Sequence, residues 1–508
     1  MNSSTLHRFS FICVAASFCN LCYELVLAKF LSQFSDDVVT WESLTLAVYL
    51  LAMGVGHLYF ATKVIDNHAI VLAQTEKKLI IFNLILVPGL LLGHMLYFIY
   101  CKEHGFDLGL SWWQRPLNHF LIVSQGGAFF LGILSSLEQH CLLQLNHQHF
   151  HLSLSRFYFY NYLGSFLASL GFFGAYLCRL DALGYGLLVI AINIFLLVFI
   201  AKLFSNVRFG QMGLVAIILL ALIWPFRERW MQIYLKNQYF NILSWNFDDE
   251  GMHFTGPLGF WSWLAAEKNY PSIHREYSAY QTIDLVAKKQ GKAFSLYLDG
   301  HLQFDSLFEA SYHEAMIGLM GDVGENILII GGGDGLLLYR LRQKWPKSRI
   351  TLVELDPAII NLAKNEPLVA LNHGALLDPN VRLIVKDVLL WVKDSKEIFD
   401  AIFVDVPHPF GQDCSRLVSY EFFLVLRALI GQGGIIVMDV PKSLYNDESK
   451  EILLASLAQA RLGLDKTDAT YGDGFIRVLP LVTTYAFAPI KVHSLFKPRF
   501  APLFDSRF

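Results

Sequence analysis

A glycine-rich turn between two apolar runs constrains the fold of this chain most strongly. Residues 326–357 read NILIIGGGDGLLLYRLRQKWPKSRITLVELDP. The turn holds three glycines and one acid: Gly331, Gly333, Asp334 and Gly335. Glycines at such positions let the backbone turn tightly and approach a ligand that a Cβ would block. Glu354 ends the second apolar run at the spacing where an acid in a β-α-β unit meets a ribose hydroxyl pair. The stretch therefore predicts a nucleoside-binding, Rossmann-type fold.

Strand-like and helix-like segments alternate after this turn. Further strands are predicted at 381–385, 401–404 and 434–438, with helices at 357–365 and 420–428. This alternation predicts a doubly wound, mostly parallel sheet of the class I methyltransferase-like type. Acids follow three of the strands: Glu354, Asp387 and Asp405. Because ligands of open α/β sheets bind at the carboxyl ends of the strands, we expect these acids to share one site.

The rest of the chain is too apolar for a soluble protein of ordinary composition. Charged residues make up 16% of the whole sequence, against about 25% in soluble domains. Apolar runs of the length that a bilayer requires predict an all-α, multi-pass transmembrane bundle. We expect seven spans, near 9–30, 40–62, 79–101, 118–140, 157–179, 182–203 and 210–226.

These patterns divide the chain into four predicted segments. Residues 1–226 form the transmembrane domain, and residues 227–276, in which aromatic and charged residues mix, form a linker or interfacial segment. Residues 277–320 show strand-like alternation and predict a small β-hairpin unit followed by a helix. Residues 321–508 form the Rossmann-type domain.

The distribution of basic residues leaves the membrane orientation open. Lys63, Lys77 and Lys78 mark the segment after the second span as cytoplasmic, whereas Arg227 and Arg229 follow the last span. A cytosolic nucleotide substrate favours a cytoplasmic C-terminal domain. We therefore expect a multi-pass protein of the cell or inner membrane.

Several kinds of site are not supported by the sequence. The net charge of −3 gives no support for nucleic-acid binding. Six of the seven cysteines lie before residue 180, mostly in apolar runs, which is no disulfide framework. His147, His149 and His151 alternate without an accompanying acid or cysteine, so a solvated loop is favoured over a metal site. We expect neither a metal nor a prosthetic group.

Two glutamates lie within apolar segments of the first half. Glu24 and Glu138 fall inside or at the end of predicted spans. An ionisable group is costly in a membrane, so it indicates a functional site by default. A glutamate that reaches the headgroups or hydrogen-bonds to a neighbouring helix is the alternative, and the sequence does not decide between the two.

Short motifs in both halves are shared with a known family. They are CYELVLAKFLS at 22–32, AMGVG at 52–56, NYLGSFLASL at 161–170, Tyr280-Gln281, LDGHLQ at 298–303, YHE at 312–314, GGGDG at 331–335, VELD at 353–356, Asp387 and D-x-P-x-P at 405–409. The chain resembles the aminopropyltransferases, or spermidine synthases, and among them the membrane-bound spermidine synthase-like proteins. The resemblance covers nearly the whole chain. It implies a transferase of polyamine biosynthesis that acts on small-molecule substrates, with a homodimer as the common assembly.

The resemblance also implies a cofactor site for decarboxylated S-adenosylmethionine, used as a co-substrate. Glu354 would hold the ribose hydroxyls and Asp387 the adenine amino group. Gln281 and Gln303 would lie beside the nucleoside and its tail. Asp334 would face the aminopropyl ammonium, and the glycines would cradle the ligand.

For the acceptor amine, the resemblance implies one catalytic acid and two further contacts. Asp405 would orient the amine and take its proton, because a protonated amine cannot attack. Tyr280 and His408 would line the acceptor site. His408 stands where the family usually has a second acid, and Phe308-Glu309 stands where it usually has an Asp-Glu pair.

Two alternatives to aminopropyl transfer remain. The same fold serves methyltransferases that use intact S-adenosylmethionine. The replacement of an acid by His408 is also compatible with a sensor or transporter that binds nucleoside or polyamine without catalysis. Asp334 favours aminopropyl transfer over the methyltransferase alternative, since it would attract a free propylammonium and repel the carboxylate of intact S-adenosylmethionine.

Overall fold

The structure is a computed structural model, and it describes most of the chain. The described residues are 3–32, 38–104, 116–178, 180–204, 207–240, 245–248, 251–254, 270–288, 293–321, 325–407, 416–440, 447–471 and 473–480. The chain divides into two compact units, Met1–Ser272 and Ile273–Phe508.

The first unit is helical. Its helices are α1 (Ser3–Ser32), α2 (Val38–Ala61), α3 (His68–His104), α4 (Pro116–Leu145), α5 (Leu154–Leu177), α6 (Ala182–Leu203), α7 (Val207–Ile223) and α8 (Arg227–Phe240). A short hairpin of β1 (Trp245–Asp248) and β2 (Gly251–Phe254) follows. The segment predicted as a linker thus begins with a helix.

The predicted apolar spans all fold as helices. Five stretches among the described residues are long and apolar enough to cross a membrane: 5–31, 40–61, 68–95, 119–150 and 183–203. Helices α5 and α7 cover the other two predicted spans but are not among these five. Large apolar side chains on the outside of the unit, such as Leu58 and Phe166, are exposed, as expected of helices surrounded by lipid.

Helix α3 begins earlier than the sequence analysis predicted. It starts at His68, not near residue 79, so Lys77 and Lys78 lie on the helix and not in a loop. Charged side chains on that turn had suggested a solvated connection, but apolar neighbours such as Leu72 and Leu79 are fully buried. The helix therefore carries Glu76 into the interior of the unit, where it is fully buried.

The second unit is built on the predicted α/β sheet. Its strands are β7 (Asn326–Gly331), β8 (Arg349–Glu354), β9 (Val381–Val385), β10 (Phe399–Asp405), β11 (Ile430–Val440), β12 (Leu462–Tyr471) and β13 (Asp473–Pro480), in the order β12-β13-β11-β10-β7-β8-β9. The five strands β11, β10, β7, β8 and β9 are parallel to one another. Strand β13 pairs antiparallel with both of its neighbours, β11 and β12. The predicted fold class is confirmed.

Helices connect these strands. They are α10 (Leu336–Lys344), α11 (Pro357–Ala363), α12 (Leu368–Leu371), α13 (Val388–Trp391), α14 (Tyr420–Leu429) and α15 (Asp447–Gln459). The strand order switches between β7 and β10. After β7 the chain continues to β8 and β9 on one side of the sheet, and after β10 it continues to β11 on the other side. Open α/β sheets bind ligands in the crevice at such a point.

A smaller antiparallel sheet precedes the Rossmann-type sheet. Its strands are β3 (Ile273–Tyr277), β4 (Thr282–Ala287), β5 (Phe294–Leu298) and β6 (His301–Asp305), and helix α9 (Glu309–Gly318) follows. Apolar residues of β4 to β6 and α9 share one buried cluster with the face of the large sheet that carries Phe403 and Val437. This face is therefore covered by α9 and the small sheet.

Candidate active site

The glycine turn is joined directly to the end of strand β10. Gly331 has a φ of +81°, and a Cβ there would lie 1.9 Å from the carbonyl oxygen of Asp405. The amide of Gly332 donates a hydrogen bond of 2.8 Å to that same oxygen. Only glycine tolerates both this conformation and this close approach. The turn therefore holds a fixed position relative to the catalytic candidate Asp405.

Glu354 closes the turn from the side of strand β8. Its carboxylate accepts hydrogen bonds from the amide of Gly333 at 3.2 Å and from the amide of Asp356 at 2.8 Å. Burial raises the pKa of Glu354 to about 7, although the amide of Asp356 opposes this. Gln281 from the small sheet donates to the Asp356 carboxylate at 2.9 Å. Glu354, Gln281 and the turn thus lie close together at the carboxyl edge of the sheet.

A chain of charged groups positions Asp405. Nε2 of the buried His313 lies 3.7 Å from Oδ2 of Asp405, and its Nδ1 lies 3.1 Å from Glu309. Burial favours a neutral ring, but Asp405 and Glu309 outweigh it and raise the pKa of His313 to about 10. Arg340 donates to the other oxygen of Glu309 at 2.7 Å. His313 is therefore a cation at neutral pH that fixes the Asp405 carboxylate.

Asp334 brings a second carboxylate close to Asp405. Burial, and then the neighbouring Asp405, raise the pKa of Asp334 to about 6. Its side chain accepts from the amide of Leu336 at 2.9 Å, which holds it at the start of α10. Two carboxylates whose repulsion raises a pKa form a site that a cationic ligand stabilises.

A third carboxylate at this edge was not among the predicted site residues. Asp439 follows Met438, which pairs with Val404 of β10, so Asp439 and Asp405 are neighbours on adjacent parallel strands. Both alternate onto the face covered by α9. The hydroxyl of Tyr312 donates to Asp439 at 2.5 Å. The sequence signal was available, because Asp439 ends a predicted strand in the same way as Asp405.

Three predicted site residues are not joined to this cluster by hydrogen bonds within the described part of the chain. Asp387 caps helix α13 and pairs with Arg416 at 3.2 Å. Gln303 donates to the carbonyl of His301 at 3.2 Å, and the side chain of Tyr280 is exposed. His408 lies outside the described residues. Asp387 nevertheless ends strand β9 at the same edge of the sheet, beside Glu354 at the end of β8.

The fold and site together define the class of protein. A Rossmann-type sheet carries a glycine turn at its topological switch point, with Glu354, Asp334, Asp405 and Asp439 at or near the carboxyl ends of its central strands. Such an edge can hold a nucleoside through its hydroxyls and cationic groups through the carboxylates.

Comparison with known proteins shows which domain the second unit resembles. The sequence profile of the spermine/spermidine synthase domain matches residues 309–464. This region is therefore homologous to the spermidine synthase domain, and the chain is similar to transferases named polyamine aminopropyltransferases.

Individual relatives resemble both units of the chain. Polyamine aminopropyltransferase 1 of Streptomyces coelicolor is 28% identical over 493 residues, which cover 92% of this chain and 82% of the relative. Polyamine aminopropyltransferase 2 of Aquifex aeolicus is 27% identical over 453 residues, or 87% and 81% of the two chains. The polyamine aminopropyltransferase of Oceanobacillus iheyensis reaches 36% identity over 182 residues, which is 35% of each chain.

Proposed function

We propose that this protein is a membrane-tethered polyamine aminopropyltransferase that moves the aminopropyl group of decarboxylated S-adenosylmethionine to an acceptor amine. The observation that carries this proposal is the pair of carboxylates, Asp334 and Asp405, beside the glycine turn. Their electrostatic coupling favours ligands that carry ammonium groups. The names and extent of the matching relatives support the reaction type.

For the nucleoside, each role follows from the position of a residue along the sheet edge. Glu354, next to the turn, would accept hydrogen bonds from the ribose hydroxyls. Asp387, at the end of the next strand, would accept from the adenine amino group, and Gln281 and Gln303 would flank the ligand. Arg416 would have to share Asp387 with the base, since the two side chains pair in the ligand-free protein.

For the reaction, Asp405 is the proton acceptor. An alkyl amine has a pKa of about 10, like lysine, and is protonated at neutral pH. Asp405 takes the proton, and the amine nitrogen then attacks the methylene carbon next to the sulfonium. The new carbon–nitrogen bond forms as the carbon–sulfur bond breaks, and methylthioadenosine leaves with the electron pair on sulfur. His313, held by Glu309, keeps the carboxylate in place during this step.

The acceptor's second cationic group is assigned to Asp439. This carboxylate would replace the acid that the family usually has at the position of His408. We expect Asp439→Asn to raise the KM for a diamine about 10- to 100-fold, the loss of a charge-assisted hydrogen bond, and to change the KM for a monoamine much less. Steady-state kinetics with matched diamine and monoamine acceptors measure the difference. Equal effects on both acceptors would remove Asp439 from this role.

Binding of the decarboxylated cofactor should weaken in acid. Its ammonium group favours ionised Asp334, whose pKa in the free protein is raised to about 6. Affinity should be full above the pKa of Glu354, about 7, and should fall as the pH drops through both values, by roughly tenfold per pH unit for each group. The affinity for methylthioadenosine, which lacks the ammonium group, should change with pH only near pH 7. Titration calorimetry across this range tests the difference, and Asp334→Asn should remove the step near pH 6.

The test of the proposed function is a binding comparison between the two forms of the nucleoside. We expect the full-length protein to bind decarboxylated S-adenosylmethionine at least about tenfold more tightly than the intact form, because Asp334 repels the additional carboxylate. Asp334→Asn should narrow that ratio. Preference for the intact nucleoside would instead contradict aminopropyl transfer and favour the methyltransferase alternative.

The membrane tether is part of the same proposal. Five stretches with the length and apolarity of membrane spans support a multi-pass protein of the cell or inner membrane. A cytosolic nucleotide substrate favours a cytoplasmic position for the second unit. Reporter fusions at the C-terminus would determine that side. The homodimer implied by the family stays a prediction.

A further inference from the structure

The helical unit contains a polar cluster in its interior that the proposed reaction does not use. We call it the buried carboxylate cluster, and it consists of Asn20, Tyr23, Glu76, Glu138 and Asn193. These residues come from four helices: α1, α3, α4 and α6. Relative exposure is 0% for Glu76 and Asn193, 1% for Glu138, 2% for Tyr23 and 5% for Asn20. Burial of this degree requires that each polar group find a partner or a ligand.

The two carboxylates lie against each other and against the amides. The side chains of Glu138 and Asn193 are polar neighbours of Glu76. Asn20 donates from Nδ2 to one oxygen of Glu138, and Tyr23 lies within electrostatic range of both glutamates. Among the described residues, no Lys, Arg or His side chain is an electrostatic or hydrogen-bonding neighbour of either glutamate.

Hydrogen-bond acceptors outnumber donors in the cluster. Five acceptor atoms receive no hydrogen bond from the described residues: both carboxylate oxygens of Glu76, one of Glu138, and the amide oxygens of Asn20 and Asn193. Only two groups with hydrogens to donate are similarly unpartnered, the hydroxyl of Tyr23 and the Nδ2 group of Asn193. The cluster therefore has fewer free donor groups than free acceptor atoms and, among the described residues, no positive charge. A cation that carries N–H groups supplies both donors and charge.

The side chains present suit an ammonium group better than a metal ion. No group of three or more His, Cys, Asp or Glu residues suited to a metal occurs in the described part of the chain. A primary ammonium offers three N–H donors and one charge. Carboxylate and amide oxygens accept hydrogen bonds from those donors.

We propose that the buried carboxylate cluster binds a primary ammonium group of a polyamine inside the helical unit. The identification of the amine as a polyamine rests on the proposed function, whereas the requirement for a cation rests on the cluster itself. The helical unit would then be an amine-binding domain as well as a tether. Its site would be separate in sequence and structure from the acceptor site of the second unit.

Equilibrium binding of radiolabelled spermidine to the full-length protein in lipid nanodiscs tests this proposal. We expect two bound amines in the parent protein. Glu76→Gln with Glu138→Gln should remove one of them, with affinity falling at least about tenfold, and should leave the amine that Asp405→Asn weakens. If the proposed reaction is wrong but this site is right, the Asp405-sensitive amine will be missing and the Glu76-sensitive amine will remain.

Three controls make the result decisive. Glu228→Gln changes an exposed glutamate of α8 and should leave both amines bound. The single variant Glu138→Gln, with the same volume and one carboxylate fewer, should weaken the same amine if the double variant is unstable. An unchanged elution volume in size-exclusion chromatography and an unchanged thermal unfolding midpoint of the helical unit show that each variant is folded. Unchanged spermidine binding in folded Glu76→Gln and Glu138→Gln protein overturns the proposal, and so does displacement by sodium or potassium at matched ionic strength.

Discussion

Replacing Asp405 with asparagine should lower the rate of aminopropyl transfer by about 10²- to 10⁴-fold, the usual contribution of a positioned general base. The substitution keeps the volume and the backbone carbonyl that holds the glycine turn. Binding of methylthioadenosine, which carries no ammonium group, should therefore change by no more than about twofold. Single-turnover kinetics and calorimetry with the same preparation separate the two effects.

A matched control exists on the same strand. Asp400 lies at the opposite end of β10, is exposed, and accepts a hydrogen bond from the amide of Asn326. Asp400→Asn removes one carboxylate from the strand without touching the sheet edge and should leave turnover unchanged. Full turnover in Asp405→Asn would mean that another group accepts the proton.

Replacing Gly331 with alanine should destabilise the second unit by about 2–6 kcal/mol, from backbone strain and forced overpacking together. The added Cβ would meet the Asp405 carbonyl oxygen at 1.9 Å, at a φ of +81°. The turn must then move away from β10, which breaks the hydrogen bond from Gly332. We expect a lower midpoint of thermal unfolding for this unit and loss of nucleoside binding.

Gly433→Ala is the control for this second substitution. Gly433 has a φ of +77°, but no atom lies within 4 Å of a Cβ built there. Its replacement should cost only the strain of the left-handed conformation, about 1–2 kcal/mol. The difference between the two variants measures the collision with Asp405. Equal losses would show that the contact between the turn and β10 does not hold the site together.

The sequence predicted the parts of the site that belong to single strands and turns. Gly331, Glu354 and Asp405 each end or follow a buried strand, and the rule that parallel strands present their carboxyl ends at one edge was enough to bring them together. The same rule applied to Asp439, which ends the strand after Asp405.

Contacts made across elements could not be predicted in the same way. His313 reaches Asp405 from helix α9, and Gln281 reaches Asp356 from the small sheet, through packing that no local pattern encodes. Likewise, Glu76 stands beside two lysines, a pattern typical of a solvated loop. Its burial depends on helices α1, α4 and α6 surrounding it.

The two antiparallel strands of the large sheet were not predicted from the sequence. The long antiparallel strands β12 and β13 complete the sheet beyond β11, yet no strand was predicted after residue 438. Polar residues interrupt the apolar ones in β12, the edge strand, and in β13 beside it, so neither shows the continuous apolar run of the parallel strands.

The most direct measurement is the mass of the product formed by the full-length protein from decarboxylated S-adenosylmethionine and a panel of diamines and triamines. We predict an amine heavier than its acceptor by one aminopropyl group, with one methylthioadenosine released for each product molecule, and no such product from Asp405→Asn. A protein that binds the nucleoside but forms no aminopropylated amine, or that methylates a substrate with intact S-adenosylmethionine, would contradict this account.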